Sequence, residues 1–174
     1  PVCAILERKK KADYHGYKSL NEGYTKEAIN YFEEALKTDN KDEMIFYYFG
    51  AALYKDGQYE KADSALKKGL ELNPDFEPIL MYLGNIEKAR NKISDAIMYY
   101  EKIIGLNRKY FEAYVELSGL LVETNMKRAR DLLRTCLTIN PSFKPAIVAL
   151  AETYRQTDPD IAKKYDELAG KIAN

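Results

Sequence analysis

The sequence has no tryptophan, one histidine and two cysteines in 174 residues, and its 27 basic side chains are cancelled by 27 acidic ones. Each scarcity excludes something. Cys3 and Cys136 are too few and too far apart for a disulfide framework, and no Cys/His cluster has metal-ligand spacing. A chain without net positive charge lacks the overall means to displace the counterions of a nucleic acid, so nucleic acid is not an expected partner. Nine Gly and six Pro leave little room for low complexity or long disordered linkers. No apolar run reaches the roughly 18 residues of a membrane span, and no signal-peptide pattern is read, so direct membrane insertion of this domain is not expected. His15 stands alone, and the acids fall on solvated faces without an isolated pair. No catalytic residue, cofactor or metal ligand is therefore assigned, and the chain is not expected to be an enzyme.

What is abundant is charge, at 31% of residues, and tyrosine, at 15 copies. That charge content suits a helical protein with well-solvated faces. Tyrosine joins a large apolar ring to a polar tip, which suits half-buried sites and binding surfaces. The chain begins at Pro1, and an apolar stretch to Leu6 is followed by Arg8, Lys9, Lys10 and Lys11. Two expectations follow: the cytoplasmic end of a membrane helix with its positive flank, or the first turns of an exposed helix. The compartment expected is the cytoplasm, or the soluble side of a membrane-attached protein.

Periodicity organises the rest. Gly16, Gly50, Gly84 and Ser118 are spaced by 34, as are Gly23, Gly57, Asn91 and Asn125. Ala28, Ala62 and Ala96 keep that step and continue through Ala129 and Ala162 at 33, and Asp39, Asn73, Asn107 and Asn140 form a fourth series. Glycine inside a helix costs about 1 kcal/mol relative to alanine. Repeating that cost at one register predicts a close helix crossing with no room for a side chain. The second series holds residue types that tolerate left-handed dihedrals, as a tight turn after a helix requires. Apolar residues between these markers step by three and four, as in amphipathic helices. Examples are Phe46, Phe49 and Leu53, then Ala62, Leu66 and Leu70. Pro74 and Pro141 follow second helices, and Asp158 before Pro159 reads as an N-cap.

A 34-residue helix–turn–helix with a small residue in its first helix, a Gly turn and a closing Pro resembles the tetratricopeptide repeat. The second unit carries the pattern most fully, in Phe46, Phe49, Gly50, Leu53, Gly57, Tyr59, Ala62, Leu66, Gly69, Leu70 and Pro74. The resemblance divides the chain into residues 1–8 (an extension or the start of the first helix), then repeats at 9–42, 43–76, 77–110 and 111–143, and a degenerate capping repeat at 144–174. The fourth repeat is one residue short near Asn125-Met126. The fifth has Gln156-Thr157-Asp158-Pro159 in place of the Gly turn, and Asp166 where an apolar residue is expected. Cys136 falls in the small-residue register of Ala35 and Gly69, as an inert core thiol, and His15 is expected between paired helices.

The resemblance implies an all-α, right-handed superhelical solenoid of antiparallel helix pairs, with a concave groove lined by the first helix of each repeat. Its expected partner is a protein or peptide, held by a non-catalytic scaffold. Transferred register by register, the groove face comprises Tyr14, Tyr17 and Asn21; then Tyr47, Tyr48, Ala51, Tyr54 and Lys55; then Met81, Tyr82, Asn85 and Lys88. It continues with Val115, Glu116, Gly119, Val122 and Glu123, and with Val148, Glu152, Arg155 and Gln156. Tyr14, Tyr48 and Tyr82 share one register. They form either an aromatic column on the inner wall or packing between neighbouring first helices. Glu116, Glu123 and Glu152 make the far half acidic. A subfamily that clamps the C-terminal carboxylate of heat-shock chaperones uses Lys, Asn and Arg at places held here by Asp13, Tyr17, Tyr48, Pro78 and Tyr82. Only Asn85 and Lys88 match in type, so that role is rejected. The alternative to a groove binder is self-assembly, or service as the soluble structural arm of a larger protein, with membrane attachment as one form of it.

Overall fold

A computed structural model describes residues 2–38 and 41–172, with side chains described for 11–37 and 41–172. Asp39 of the turn series and the side chains of the apolar-then-basic start, Cys3 included, lie outside the described residues. Among the described residues there are ten helices and no strand. Helix α1 runs without a break from Val2 to Asn21, so residues 2–8 are not separated from the first repeat by a loop. No helix of the described residues is long and apolar enough to cross a membrane.

The chain divides into two compact units, Pro1–Arg90 and Asn91–Asn174. The first holds α1, α2 (Thr25–Thr38), α3 (Glu43–Lys55), α4 (Tyr59–Leu72) and α5 (Glu77–Ala89). Its paired helices cross where the small-residue series predicts. A Cβ on Gly16 would lie 2.7 Å from the Phe32 ring, and one on Gly50 would lie 2.5 Å from Leu66 Cγ. Phe32 and Leu66, which meet these glycines from α2 and α4, are buried, and so are Ala28 and Ala62 of the alanine series. Gly69 serves the next contact along: its Cβ would meet Ile79 of α5 at 2.4 Å. Each pair turns through a left-handed glycine, Gly23 at φ +85° and Gly57 at φ +78°.

The second unit holds α6 (Ile93–Leu106), α7 (Phe111–Leu121), α8 (Met126–Ile139), α9 (Lys144–Tyr154) and α10 (Pro159–Lys171). Tyr114, Leu133, Cys136, Ala146, Leu150, Tyr154 and Ala162 form its core. The turn before α6 uses Asn91 at φ +60°. Asn125 departs from that series. Its φ is −152°, and its side chain accepts the Arg128 N–H at 3.0 Å, so it caps α8 rather than bending the turn. The missing residue of the fourth repeat is thus the left-handed one. Asp158 does for α10 what Asn125 does for α8, accepting the Ile161 N–H at 3.1 Å.

From the second repeat to the fifth, successive repeats are joined by one recurring turn. Asn73, Asn107 and Asn140 stand in extended backbone at the ends of α4, α6 and α8. Each side-chain carbonyl accepts a backbone N–H two residues on, from Asp75 at 3.4 Å, Lys109 at 3.0 Å and Ser142 at 3.2 Å. This Asx turn supplies locally the hydrogen bonds that the helix ends would otherwise lack. It explains why Asn recurs at the repeat boundary.

Candidate functional site

In the first unit the first helices α1, α3 and α5 pack in sequence, so their outer faces form one surface. Tyrosine covers it. Tyr17 meets Tyr48 edge-on at 5.2 Å, Tyr48 meets Tyr47 at 4.9 Å, and Tyr47 meets Tyr82 at 5.9 Å. Tyr82 then meets Tyr54 at 5.3 Å, which lies 5.3 Å from Tyr59. Of the two arrangements expected, the rings follow packing between neighbouring first helices rather than a single-register column: Tyr48 and Tyr82 are bridged by Tyr47. Tyr14 instead lies edge-on to His15, whose ring stacks on Tyr31 of α2 at 5.3 Å. His15 therefore fills the space between paired helices.

Exposure sorts these rings. Tyr14 and Tyr17 are 63% and 45% exposed, while Tyr47, Tyr48, Tyr54 and Tyr82 are half-buried. Burial pushes the Tyr48 and Tyr82 phenols above their usual range, with Tyr17 and Tyr54 respectively adding to it, so both are neutral at pH 7. Asn21, Lys55 and Lys88 are exposed, and Met81 and Asn85 are half-buried on the same face. Ala51 is a correction: it is 3% exposed and belongs to the core. A cavity of about 310 Å³ opens between α1 and α3, lined by Asp13, Tyr14, Tyr17, Phe32, Asp42 and Tyr48 together with Met44 and Ile45. Asp42 also caps α3 by accepting the Met44 N–H at 3.0 Å.

The second unit presents a different surface. Helices α7 and α9 pack on one another. Between them lies a cavity of about 370 Å³ walled by Val115, Gly119, Val122, Met126, Ala149 and Thr153, with Glu152 at its rim. No atom stands within 4 Å of a Cβ built on Gly119, so that position opens into the cavity. Of the three expected acids, Glu152 is engaged: it accepts from Arg155 at 2.7 Å, and Arg155 also pairs with Asp166 at 3.1 Å. These carboxylates raise the Arg155 guanidinium above its usual range. Glu116 is half-buried and Glu123 exposed.

Behind that cavity an arginine pair joins α8 to α9. Arg130 donates to the Thr153 hydroxyl at 3.2 Å, to the Thr153 carbonyl and to the Thr157 hydroxyl at 2.8 Å. Its guanidinium carbon sits 3.8 Å from the Tyr154 ring centroid. Arg134 donates to the Tyr154 hydroxyl. Sequence reasoning passed over Arg130, because a charged residue on an amphipathic helix normally marks the solvated face. The available signal was its place directly after Ala129, beside a buried register. Cys136 is fully buried, and burial, then Glu112, pushes its thiol up to about 11. Among the described residues no group of three His, Cys, Asp or Glu side chains is placed to hold a metal ion.

A family model described as "Tetratricopeptide repeat" matches residues 20–86. BBSome complex member BBS4 of Bos taurus is 30% identical over 151 residues, covering 84% of this chain. The UDP-N-acetylglucosamine–peptide N-acetylglucosaminyltransferase of Giardia intestinalis is 28% identical over 124 residues, 71% of this chain. The chain spans 29% of the length of the first relative and 8% of the second. A solved structure of MamA from Desulfovibrio magneticus RS-1 superposes with a TM-score of 0.81 at 18% identity, covering 95% of this chain and 94% of that one. That likeness is one of fold. Proteins built of such repeats are generally protein-interaction scaffolds and generally non-enzymatic. From the repeat registers, the helix pairs and these likenesses together, the chain belongs to the tetratricopeptide-repeat proteins.

Proposed function

We propose that the chain holds a peptide segment of a partner protein against the first helices of its repeats, and that it does no chemistry on it. The observation that carries this reading is the placement of both cavities. One opens between α1 and α3, where Tyr14, Tyr17 and Tyr48 line it, and the other between α7 and α9, where Val115, Gly119, Val122 and Ala149 do. A folded chain that leaves rings such as Tyr14 and Tyr17 in water has an apolar surface that a partner can cover. One relative is by name a member of a complex, which accords with a scaffold. The transferase relative matches over only 8% of its own length, so its activity is not carried to this chain.

The energetics favour modest affinity. A tyrosine that loses roughly 60–80 Å² of surface contributes about 1.5–2 kcal/mol at about 25 cal/mol per Å². Tyr14 and Tyr17 are open enough for that, whereas the half-buried rings have less to lose. Association costs about 4–15 kcal/mol. A short peptide should therefore bind no tighter than the micromolar range, and tighter binding requires a folded partner.

Affinity capture tests the reading, followed by titration with the purified captured partner. The wild type is set beside a Tyr14→Ala/Tyr48→Ala/Tyr82→Ala variant of matched helix content. Loss of the partner by the variant is expected. Equal binding to both would move the working surface elsewhere and overturn the proposal.

A further inference from the structure

A glycine inside a helix needs a reason, and Gly119 finds none within the protein. A Cβ on Gly16, Gly50 or Gly69 would meet a neighbour within 3 Å, whereas nothing stands within 4 Å of one built on Gly119. Helix α7 therefore carries a cost of about 1 kcal/mol relative to alanine that no contact of the chain explains. In the earlier repeats the same register holds Tyr17, Ala51 and Asn85, so the repeat pattern does not demand glycine there. What the missing side chain leaves open is the cavity of about 370 Å³ between α7 and α9. We infer that this cavity takes one large apolar side chain, a leucine, methionine or phenylalanine of the partner peptide, and this inference rests on the peptide-binding reading above.

The lining is complementary to an uncharged occupant. Val115, Val122, Met126 and Ala149 supply half-buried apolar walls. The polar groups among them are engaged within the protein. The Ser118 hydroxyl donates to the Val115 carbonyl at 2.8 Å, and the Thr153 hydroxyl to the Leu150 carbonyl at 2.7 Å. From behind the wall, Arg130 donates to the hydroxyls of Thr153 and Thr157, and at the rim Glu152 accepts from Arg155. Gln156 is exposed, so its amide can remain in water. A charged side chain entering here would exchange its water for groups that already have partners, which is unfavourable, whereas an apolar one leaves water favourably. Arg130 thus makes the cavity apolar, by taking up hydroxyls that would otherwise attract a polar ligand. The volume lies at the low end of the roughly 300–1,000 Å³ of ligand pockets, which suits a single large side chain. Met126, unbranched and flexible, lets one wall adapt to its shape.

The test is selection of a phage-displayed library of random 12-residue peptides on the wild-type chain, followed by titration of individual synthetic peptides. Selected peptides should share one position held by leucine, methionine or phenylalanine. Replacing that residue by alanine or lysine should weaken binding at least tenfold, and Gly119→Leu in the protein, which fills the cavity, should do the same. On the Gly119→Leu protein the parent peptide and its alanine version should bind alike, because the side chain that distinguishes them has lost its place. Leucine is the better helix former and position 119 is open, so the variant is expected to fold. The alanine- and lysine-substituted peptides on wild-type protein give the answer should the variant lose helix content. Peptides without a shared apolar position, or with one that matters equally on both proteins, overturn the inference. If such peptides are still lost by the Tyr14→Ala/Tyr48→Ala/Tyr82→Ala variant, peptide binding stands without this site. Indifference to that variant as well, or failure to select any binding peptide, removes both.

Discussion

In the first unit the tight turn between paired helices passes through Gly23 or Gly57, each left-handed and each without a neighbour within 4 Å of a built Cβ. In the second unit Asn125 and Asp158 make the corresponding turns, not by bending the backbone but by capping the helix that follows. A similar division runs through the packing. The first unit ties its first helices together with a ladder of tyrosines, and the second ties α8 to α9 with Arg130 and Arg134. One repeat architecture is thus reached by two kinds of local chemistry. A helix pair needs a satisfied turn and a close crossing, and it is indifferent to which side chains supply them.

The sharpest way to break that comparison is to make one substitution in both units. Gly50→Ala puts a methyl group 2.5 Å from Leu66 Cγ and should cost about 2–3 kcal/mol by overpacking. Gly119→Ala enters open space and should instead stabilise by about 0.5–1 kcal/mol through helix propensity. Urea unfolding of the two variants reads both signs, and equal costs would show that the crossing at Gly50 is not tight.

Arg130 gives the next effect. Arg130→Ala loses hydrogen bonds to Thr153 and Thr157 and the contact with the Tyr154 ring, and should cost about 2 kcal/mol. Arg130→Lys should recover less than half of it, because an ammonium cannot reach these acceptors and stack at once. Full rescue by lysine would reduce the arginine to a charge.

The turns themselves are expected to differ by mechanism more than by size. Gly57→Ala forces a side chain to φ +78° and Asp158→Ala removes a cap, each at about 1 kcal/mol. Asp158→Asn should be nearly neutral in thermal unfolding, and Gly57→Asn should cost less than Gly57→Ala. Reversal of either order would merge the two turn types.

The smallest effect is alkaline. The Cys136 thiol is raised to about 11 in the fold, so the unfolded chain ionises first as pH rises. The stability tied to this group is complete below about pH 9 and is lost between about pH 9 and 11, by under about 1 kcal/mol at pH 9.5. Cys136→Ala should flatten that part of the pH profile relative to wild type. An unchanged profile would mean that the thiol ionises as easily folded as unfolded.

Much of this was legible beforehand, and the places where it was not are instructive. The registers of Gly16, Gly50, Gly69 and Cys136 announced close packing, because small residues repeated at one step have no other physical use in a helix. Ala51 was misplaced on the outer face: its register is right for that face, but an alanine there is covered by larger neighbours. Asn125 was read by its spacing as a turn residue. A one-residue deletion shifts spacing by one position without saying which residue was lost, and Asn serves both as a left-handed residue and as an N-cap. Both roles are open until the backbone is seen.

The sequence by itself determined the repeat step, the helix pairs, the close crossings and the Asn turns between repeats. These depend on interactions a few residues apart, or on a pattern repeated often enough to be unmistakable. Only the tertiary structure decided which tyrosines stand in water and which join the ladder, and that Asp13 and Asp42 share one cavity. It also decided that Glu152 is occupied by Arg155 and that Arg130 turns inward. Such pairings join residues on different helices, and their geometry depends on how those helices pack rather than on any local preference of the chain.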